Sequence, residues 1–217
     1  MYNKMRLFVA ALLMLPVMAC HAQQEEFVAG KDYTYLPQPV NMNSNKIVVT
    51  EIFWYGCGHC YNFERSSKEW RETLGDDVKF EPQPVMWGQP LRELHARAYY
   101  TGKALKISDK IDTAMFEGIN LKRQMFQSEN EIAKVFVDAG VSPDKFSKTF
   151  SSFGINSQIA QAQAREKAFL VRATPEIVVN GQYKVTTNGG HQRMMEVTSY
   201  LVDKIRKERA AEQTASQ

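Results

Sequence analysis

The sequence predicts an α/β fold in which a β-α-β opening and a β-β-α close frame a block of helices, and three observations carry that reading. The first is the β-branched run Ile47-Val48-Val49-Thr50 within a stretch, 46–55, that reads as a buried strand. A helix follows it from about Gly58 to Leu74 and closes at Gly75. The second is the segment from Pro90 to about Phe153, where Leu91, Leu94, Ala98 and Leu105 recur at helical spacing. The third is Glu176-Ile177-Val178-Val179, then Asn180-Gly181, then Tyr183-Lys184-Val185: a strand, a two-residue turn and a second strand.

The 217 residues open with Lys4 and Arg6, an apolar run from Leu7 to Ala19, and small residues at Ala19 and Ala22, the pattern of a secretory leader over residues 1–22. That run is interrupted by Pro16 and falls short of the roughly 20 residues a spanning helix needs, and no later segment is long or apolar enough. Removing the leader takes two of the 27 Lys and Arg residues and none of the 24 Asp and Glu residues, leaving about +1. Such a charge identifies no polyanionic partner, nucleic acid included. Val17-Met18-Ala19-Cys20 looks like a lipidation motif, although Met18 fits it poorly, so Cys20 is either a lipid anchor or removed with the leader. Either fate leaves Cys57 and Cys60 as the remaining thiols. A lone close pair in an exported chain reads as catalytic rather than as a staple.

The other elements follow in order. Tyr33 and Tyr35, before Pro37 and Pro39, suit a short edge strand. Val78 to Val85 alternates like a second strand, which Pro82 and Pro84 are expected to fray. Pro90 suits a first helical position, Ser128-Glu129-Asn130-Glu131 fits a capping box, Gly140 fits a helix stop, and Ser142-Pro143 starts another helix. A further helix is expected over 155–171, with Ile155, Ile159, Ala162, Phe169 and Leu170 on or near its buried side. A final amphipathic helix carries Met194, Met195, Val197, Leu201, Val202 and Ile205, and the lysines and arginines of 204–209 read as a solvated face. Tyr99 and Tyr100 read as core. Among Phe53, Trp54, Tyr55, Met86 and Trp87, most suit core or hinge packing and a subset suits an apolar groove.

Chemistry concentrates in Cys57-Gly58-His59-Cys60, a C-x-x-C pair at a strand-to-helix junction. The unpaired amides and positive dipole end of a helix N-terminus favour an anion, so a thiolate at Cys57 is stabilised there, with Cys60 one turn further in. A ring this small constrains the unfolded chain little, which argues against a purely structural disulfide. Covalent haem attachment needs His after the second cysteine, where Tyr61 stands. Zinc needs about four ligands, and beyond the adjacent Cys57, His59 and Cys60 only His95 and His191 remain, leaving metal binding a minor alternative. His59, between the cysteines, has a ring that can stabilise the Cys57 thiolate, at about 1.4 kcal/mol in favour of the reduced form per pKa unit.

The stretches E-I-F-W-Y-G-C-G-H-C-Y-N-F-E and T-P-E-I-V-V-N-G-Q-Y-K-V, in an exported chain with helices between them, resemble the thioredoxin fold and, more narrowly, the bacterial periplasmic DsbA-type thiol:disulfide oxidoreductases, over nearly all of residues 27–208. The resemblance implies a thioredoxin-like domain built from 23–89 and 154–217, with an inserted helical domain over 90–153. It implies that Cys57 is the exposed redox cysteine and Cys60 its buried partner, and that Thr174-Pro175 is a cis-proline loop lying against them. Glu51 would be a buried acid beneath the pair and Lys79 its basic partner, the two serving proton transfer around Cys60. Gly58 stands where many relatives carry proline, and Thr174 where many carry valine, so the balance between oxidase and isomerase stays open. The implied activity is insertion of disulfides into unfolded exported proteins in the periplasm, with a DsbB-type quinone-linked membrane protein as reoxidant and with no cofactor or metal. Only about 25 mature residues precede the first core strand, which leaves little room for a dimerisation domain and favours a monomer. The alternatives are a disulfide isomerase or reductase, and a peptide-binding holdase in which the cysteines are incidental.

Overall fold

The computed structural model describes residues 27–186 and 188–215, so the leader and Cys20 lie outside the described residues. Five strands form one sheet in the order β1-β5-β4-β2-β3: Tyr33–Tyr35 (β1), Ile47–Phe53 (β2), Val78–Pro84 (β3), Glu176–Val179 (β4) and Tyr183–Val185 (β5). β2 runs parallel to β3 and antiparallel to β4, and all seven of its residues are buried. Strand alternation divides them between two cores. Ile47 and Val49 face Phe63, Leu201 and Val202, whereas Ile52 faces Val85, Phe169 and Val178. Asn180 and Gly181, both at positive φ, turn the β4–β5 hairpin, but Val179 pairs with Tyr183, so Gln182 joins them in a three-residue loop rather than the expected two, its N–H donating to the Val179 carbonyl at 3.0 Å. A Cβ on Gly181 would lie 2.1 Å from the Val40 carbonyl oxygen, so the turn admits only glycine.

Two expected interruptions fall elsewhere. Pro82 and Pro84 do not fray β3, which pairs with β2 from Val78 opposite Ile47 to Pro84 opposite Phe53. β3 is an edge strand, and Val85 N–H donates to the Phe53 carbonyl at 2.8 Å. By parity the nitrogens of Pro82 and Pro84 face the open edge, where no donor is required. The helix expected over 58–74 is instead two, Gly58–Ser66 (α1) and Lys68–Glu72 (α2), broken at the buried Ser67. Serine pairs weaken helices because their hydroxyls compete for backbone groups.

The helical block comprises Pro90–Ala104 (α3), Ser108–Asn120 (α4), Glu129–Asp138 (α5) and Pro143–Phe150 (α6), followed by Phe153–Ala168 (α7). Pro90 and Pro143 occupy first-turn positions, and Ser128 and Glu131 form the full capping box. α7 ends three residues before the expected 171, with Leu170 at φ 51 and exposed rather than packed inward. Ile155, Ile159 and Ala162 of α7 share one core with α3 to α6, and that core reaches Phe53, Tyr55 and Cys60. Cys60 thus sits at the seam between sheet and helices. Gly190–Ala215 (α8) covers the opposite side of the sheet with Met194, Val197, Leu201 and Ile205. Among the described residues no helix is long and apolar enough to cross a membrane.

Candidate active site

The site begins where β2 ends. Trp54 lies beneath Gly56, where an added Cβ would meet the indole at 2.3 Å, so the turn into α1 requires glycine over that ring. The indole is fixed by its Nε1–H, which donates to His95 Nδ1 at 3.1 Å. That bond leaves His95 Nε2 as the donor to the carbonyls of Met125 and Phe126, and burial keeps the ring neutral by lowering its pKa. His95, read from sequence as one of the remaining metal-ligand histidines, is a packed wedge between Trp54 and the α4–α5 loop.

Cys57 is the N-cap of α1, with φ −93 and ψ 110, and its sulfur accepts from Cys60 N–H at 3.3 Å. Both thiols are free. The Cys57 pKa is pulled down to about 5, chiefly because the Cys60 thiol donates to the thiolate; burial opposes this, while the Thr174 hydroxyl and the amides of Cys60 and His59 reinforce it. Thr174 also presents its carbonyl to the sulfur at 3.3 Å, a contact that favours the protonated thiol. The hydroxyl and the amides act the other way, and donors to the anion outnumber the single acceptor. Thr174-Pro175 is cis, as the resemblance implied, and places this loop against Cys57. His59 is exposed; its amide, rather than a ring hydrogen bond, serves the sulfur.

Cys60 is its opposite. It has no exposed surface, and burial, followed by the neighbouring Cys57, raises its pKa. Behind it a cleft of about 350 Å³ is lined by Glu51, Glu64, Arg71, Tyr99, Asp112 and Phe116, among others. Glu51, 2% exposed, is pushed up to about 8 by burial against the opposing pull of Arg71. Arg71 Nη2 lies 3.1 Å from Glu51 Oε2 and 2.6 Å from Glu64 Oε2, with the guanidinium 4.3 Å over the Phe80 ring. Asp112 accepts a very short hydrogen bond from the Tyr55 hydroxyl, and burial pushes it up to about 7.

The sequence expectation for Glu51's partner is corrected here. Lys79 stands opposite Val48 in the β2–β3 register, three residues from Glu51 and therefore on the other face of the strand. It pairs with Glu81, which also meets Arg165 at 3.1 Å, and half of Lys79 is exposed, so that it lines the same cleft as Glu51 without being its ion-pair partner. Arg71 takes the place expected of it, because the break at Ser67 turns α2 back over β2 and β3. Cys57, Cys60, His59, Thr174, Pro175 and Glu51 do converge. Sequence reasoning missed Arg71, Asp112 and Arg92; Asp112 follows Ile111 at an ordinary amphipathic position of α4, and nothing local marks it.

A helix-capping thiol, a buried partner one turn on and a cis-proline loop across from them, on this sheet order, define the class: a thioredoxin-fold thiol:disulfide oxidoreductase. The chain belongs to the DSBA-like thioredoxin domain family, which matches residues 68–202, a span that begins beyond the cysteines and so supports the assignment independently of them. It is 33% identical over 203 residues to the thiol:disulfide interchange protein DsbA of Pseudomonas aeruginosa, covering 92% of this chain and 96% of that protein. It is 35% identical over 210 residues to the DsbA of Pseudomonas syringae pv. tomato, covering 95% and 96%. The crystal structure of the Pseudomonas aeruginosa protein superposes with a TM-score of 0.80 over 88% of this chain and 98% of that one.

Proposed function

We propose that the oxidised protein donates its Cys57–Cys60 disulfide to unfolded exported proteins in the periplasm. A substrate thiolate attacks Cys57 Sγ, the Cys57–Cys60 bond breaks, and the electron pair leaves with Cys60 Sγ, which takes up a proton. Glu51 supplies that proton, a role supported by the burial that raises its pKa to about 8. A second substrate thiolate then attacks the substrate sulfur of the mixed disulfide and expels Cys57 as a thiolate. The substrate loses two electrons and the enzyme gains them. The Thr174-Pro175 loop forms the wall against which an extended substrate lies.

The observation that carries this reading is the N-capping Cys57 sulfur, pulled down to about 5. A thiolate of that kind is a good leaving group, and at pH 7 it favours the reduced enzyme by about two decades, ~60 mV in potential over an unperturbed pair. By the same resemblance a DsbB-type membrane protein returns the pair to the disulfide, and the enzyme acts as a single chain. The test combines a glutathione redox titration with oxidation of a reduced, disulfide-requiring protein. A potential more oxidising than that of thioredoxin, with activity lost in Cys57→Ser, is the expected result. A thioredoxin-like potential, or activity surviving that substitution, contradicts it.

A further inference from the structure

Arg92, in the first turn of α3, has a place in the active site that the exchange chemistry leaves unused. Its guanidinium lies between two indoles, 4.4 Å from the centroid of Trp54 and 4.3 Å from that of Trp87. Both rings are anchored, Trp54 by His95 and Trp87 by its Nε1–H donating to the Val171 carbonyl at 3.3 Å. Arg92 Nε and Nη1 are sealed without a hydrogen-bond partner, and among the described residues the guanidinium has no ion pair. The neighbouring acid, Glu166, is already engaged, accepting from Met86 N–H at 2.8 Å and Trp87 N–H at 2.9 Å. Arginine stays charged in such a setting, so this is a cation held rigidly in place, which the Glu166 carboxylate meets through its charge alone.

It stands on the Cys57 side of the site. Arg92 stacks on Trp54, whose carbonyl accepts from Cys57 N–H at 2.9 Å, while burial lowers the pKa of the half-buried His191, which leaves Arg92 as the permanent charge on this side. The carboxyls of Glu51 and Asp112 are on the other side, within the rear cleft. The front face therefore presents one permanently charged cation fixed by packing, Arg92, beside a sulfur that an extended segment must approach, with Glu166 held on the amides of Met86 and Trp87.

We propose that Arg92, clamped between Trp54 and Trp87 beside Cys57, selects substrates, favouring cysteine-containing segments with Asp or Glu next to the reactive cysteine. The proposal rests on the exchange reading above. A fixed cation within a Debye length of the flanking carboxylate lowers the free energy of encounter and docking, and because the indoles already hold the side chain, little rotamer entropy remains to be lost. A flanking Lys meets the same charge as repulsion.

The test uses the oxidised mature protein and three reduced dithiol peptides identical except for Glu, Gln or Lys flanking the attacking cysteine, with exchange followed by stopped-flow fluorescence. The quantity read is the Glu-to-Lys rate ratio of the wild type divided by that of a variant, which cancels the intrinsic reactivity of each peptide thiol. That quotient is expected to be about fivefold for Arg92→Gln, the upper range for a partly exposed charge pair, and to stay within about twofold of unity for Arg92→Lys. In the unmodified protein the preference is expected to fade in 1 M NaCl, a readout that needs no variant. A ratio insensitive to Arg92→Gln and to salt overturns the proposal. Failure of the wild type to oxidise any of the three peptides instead overturns the exchange reading on which it rests.

Discussion

The two cysteines are three residues apart and live in opposite electrostatic surroundings. Around Cys57 lie a helix N-terminus, backbone amides and the Thr174 hydroxyl, and the thiol pKa falls. Around Cys60 lie a sealed core and a cleft lined by Glu51, Glu64 and Asp112, and the thiol pKa rises. An anion is welcomed at the front and refused at the rear. The difference teaches why only one sulfur serves as nucleophile and leaving group toward substrate, and why the other needs a proton close at hand.

The largest expected effect comes from removing the front anion. Cys57→Ala should abolish oxidation of a reduced dithiol peptide, whereas Cys60→Ala in excess oxidised glutathione should form a Cys57–glutathione mixed disulfide, with one glutathione thiolate released, that persists for want of a neighbouring thiol to resolve it, visible by mass spectrometry. Rapid turnover by the Cys57 variant would break the comparison.

Glu51→Gln tests the rear. The Glu51 carboxyl has its folded-state pKa raised from 4.5 to about 8, so its contribution to stability is fully present below 4.5 and is lost as the pH rises through about 8. Denaturation of the oxidised form, in which the thiols do not titrate, should find Glu51→Gln more stable than wild type by a few kcal/mol at pH 8.5 and by less than about 1 kcal/mol at pH 4. An equal gap at both values would mean that Arg71 keeps Glu51 charged throughout.

Asp112→Ala leaves the buried Tyr55 hydroxyl without its acceptor and should cost about 1–3 kcal/mol in chemical denaturation, while Asp112→Asn, which retains an acceptor oxygen, should cost less. Equal losses would show that the charge, rather than the hydrogen bond, joins α4 to the end of β2. A smaller effect is expected at Gly58. Its added Cβ would meet only Asn120 Oδ1 at 3.8 Å, and it occupies the first helical position, where proline fits. Gly58→Pro should therefore stabilise the fold by about 0.4–1 kcal/mol in thermal or chemical denaturation. Destabilisation would place a hidden constraint at that turn.

Much of this was legible in the chain where the signal is local. The C-x-x-C pair, the Asn180-Gly181 hairpin, the Ser128 capping box and the Thr174-Pro175 loop all stand where the residues put them. What escaped depends on facing and register. Glu51's cation could not be chosen between Lys79 and Arg71 without knowing that Lys79 aligns with Val48 and that α1 breaks at Ser67. Pro82 and Pro84 read as strand-breaking because the sequence does not say that β3 is an edge. Arg92 and Asp112 come from helices inserted between the cysteines and the cis-proline loop, and only packing of that block against the sheet brings them to the two sides of the site.

The most direct measurement of the front-to-rear asymmetry is the ultraviolet absorbance of thiolate in the reduced protein as pH is lowered, repeated in Cys60→Ala. One thiolate should persist through neutral pH and protonate with a midpoint near 5, while the second thiol remains protonated over the whole range. Removing the Cys60 thiol, the largest single support of the anion, should move that midpoint upward. A midpoint near the ordinary thiol value of about 8.5 in the unmodified reduced protein would contradict the account.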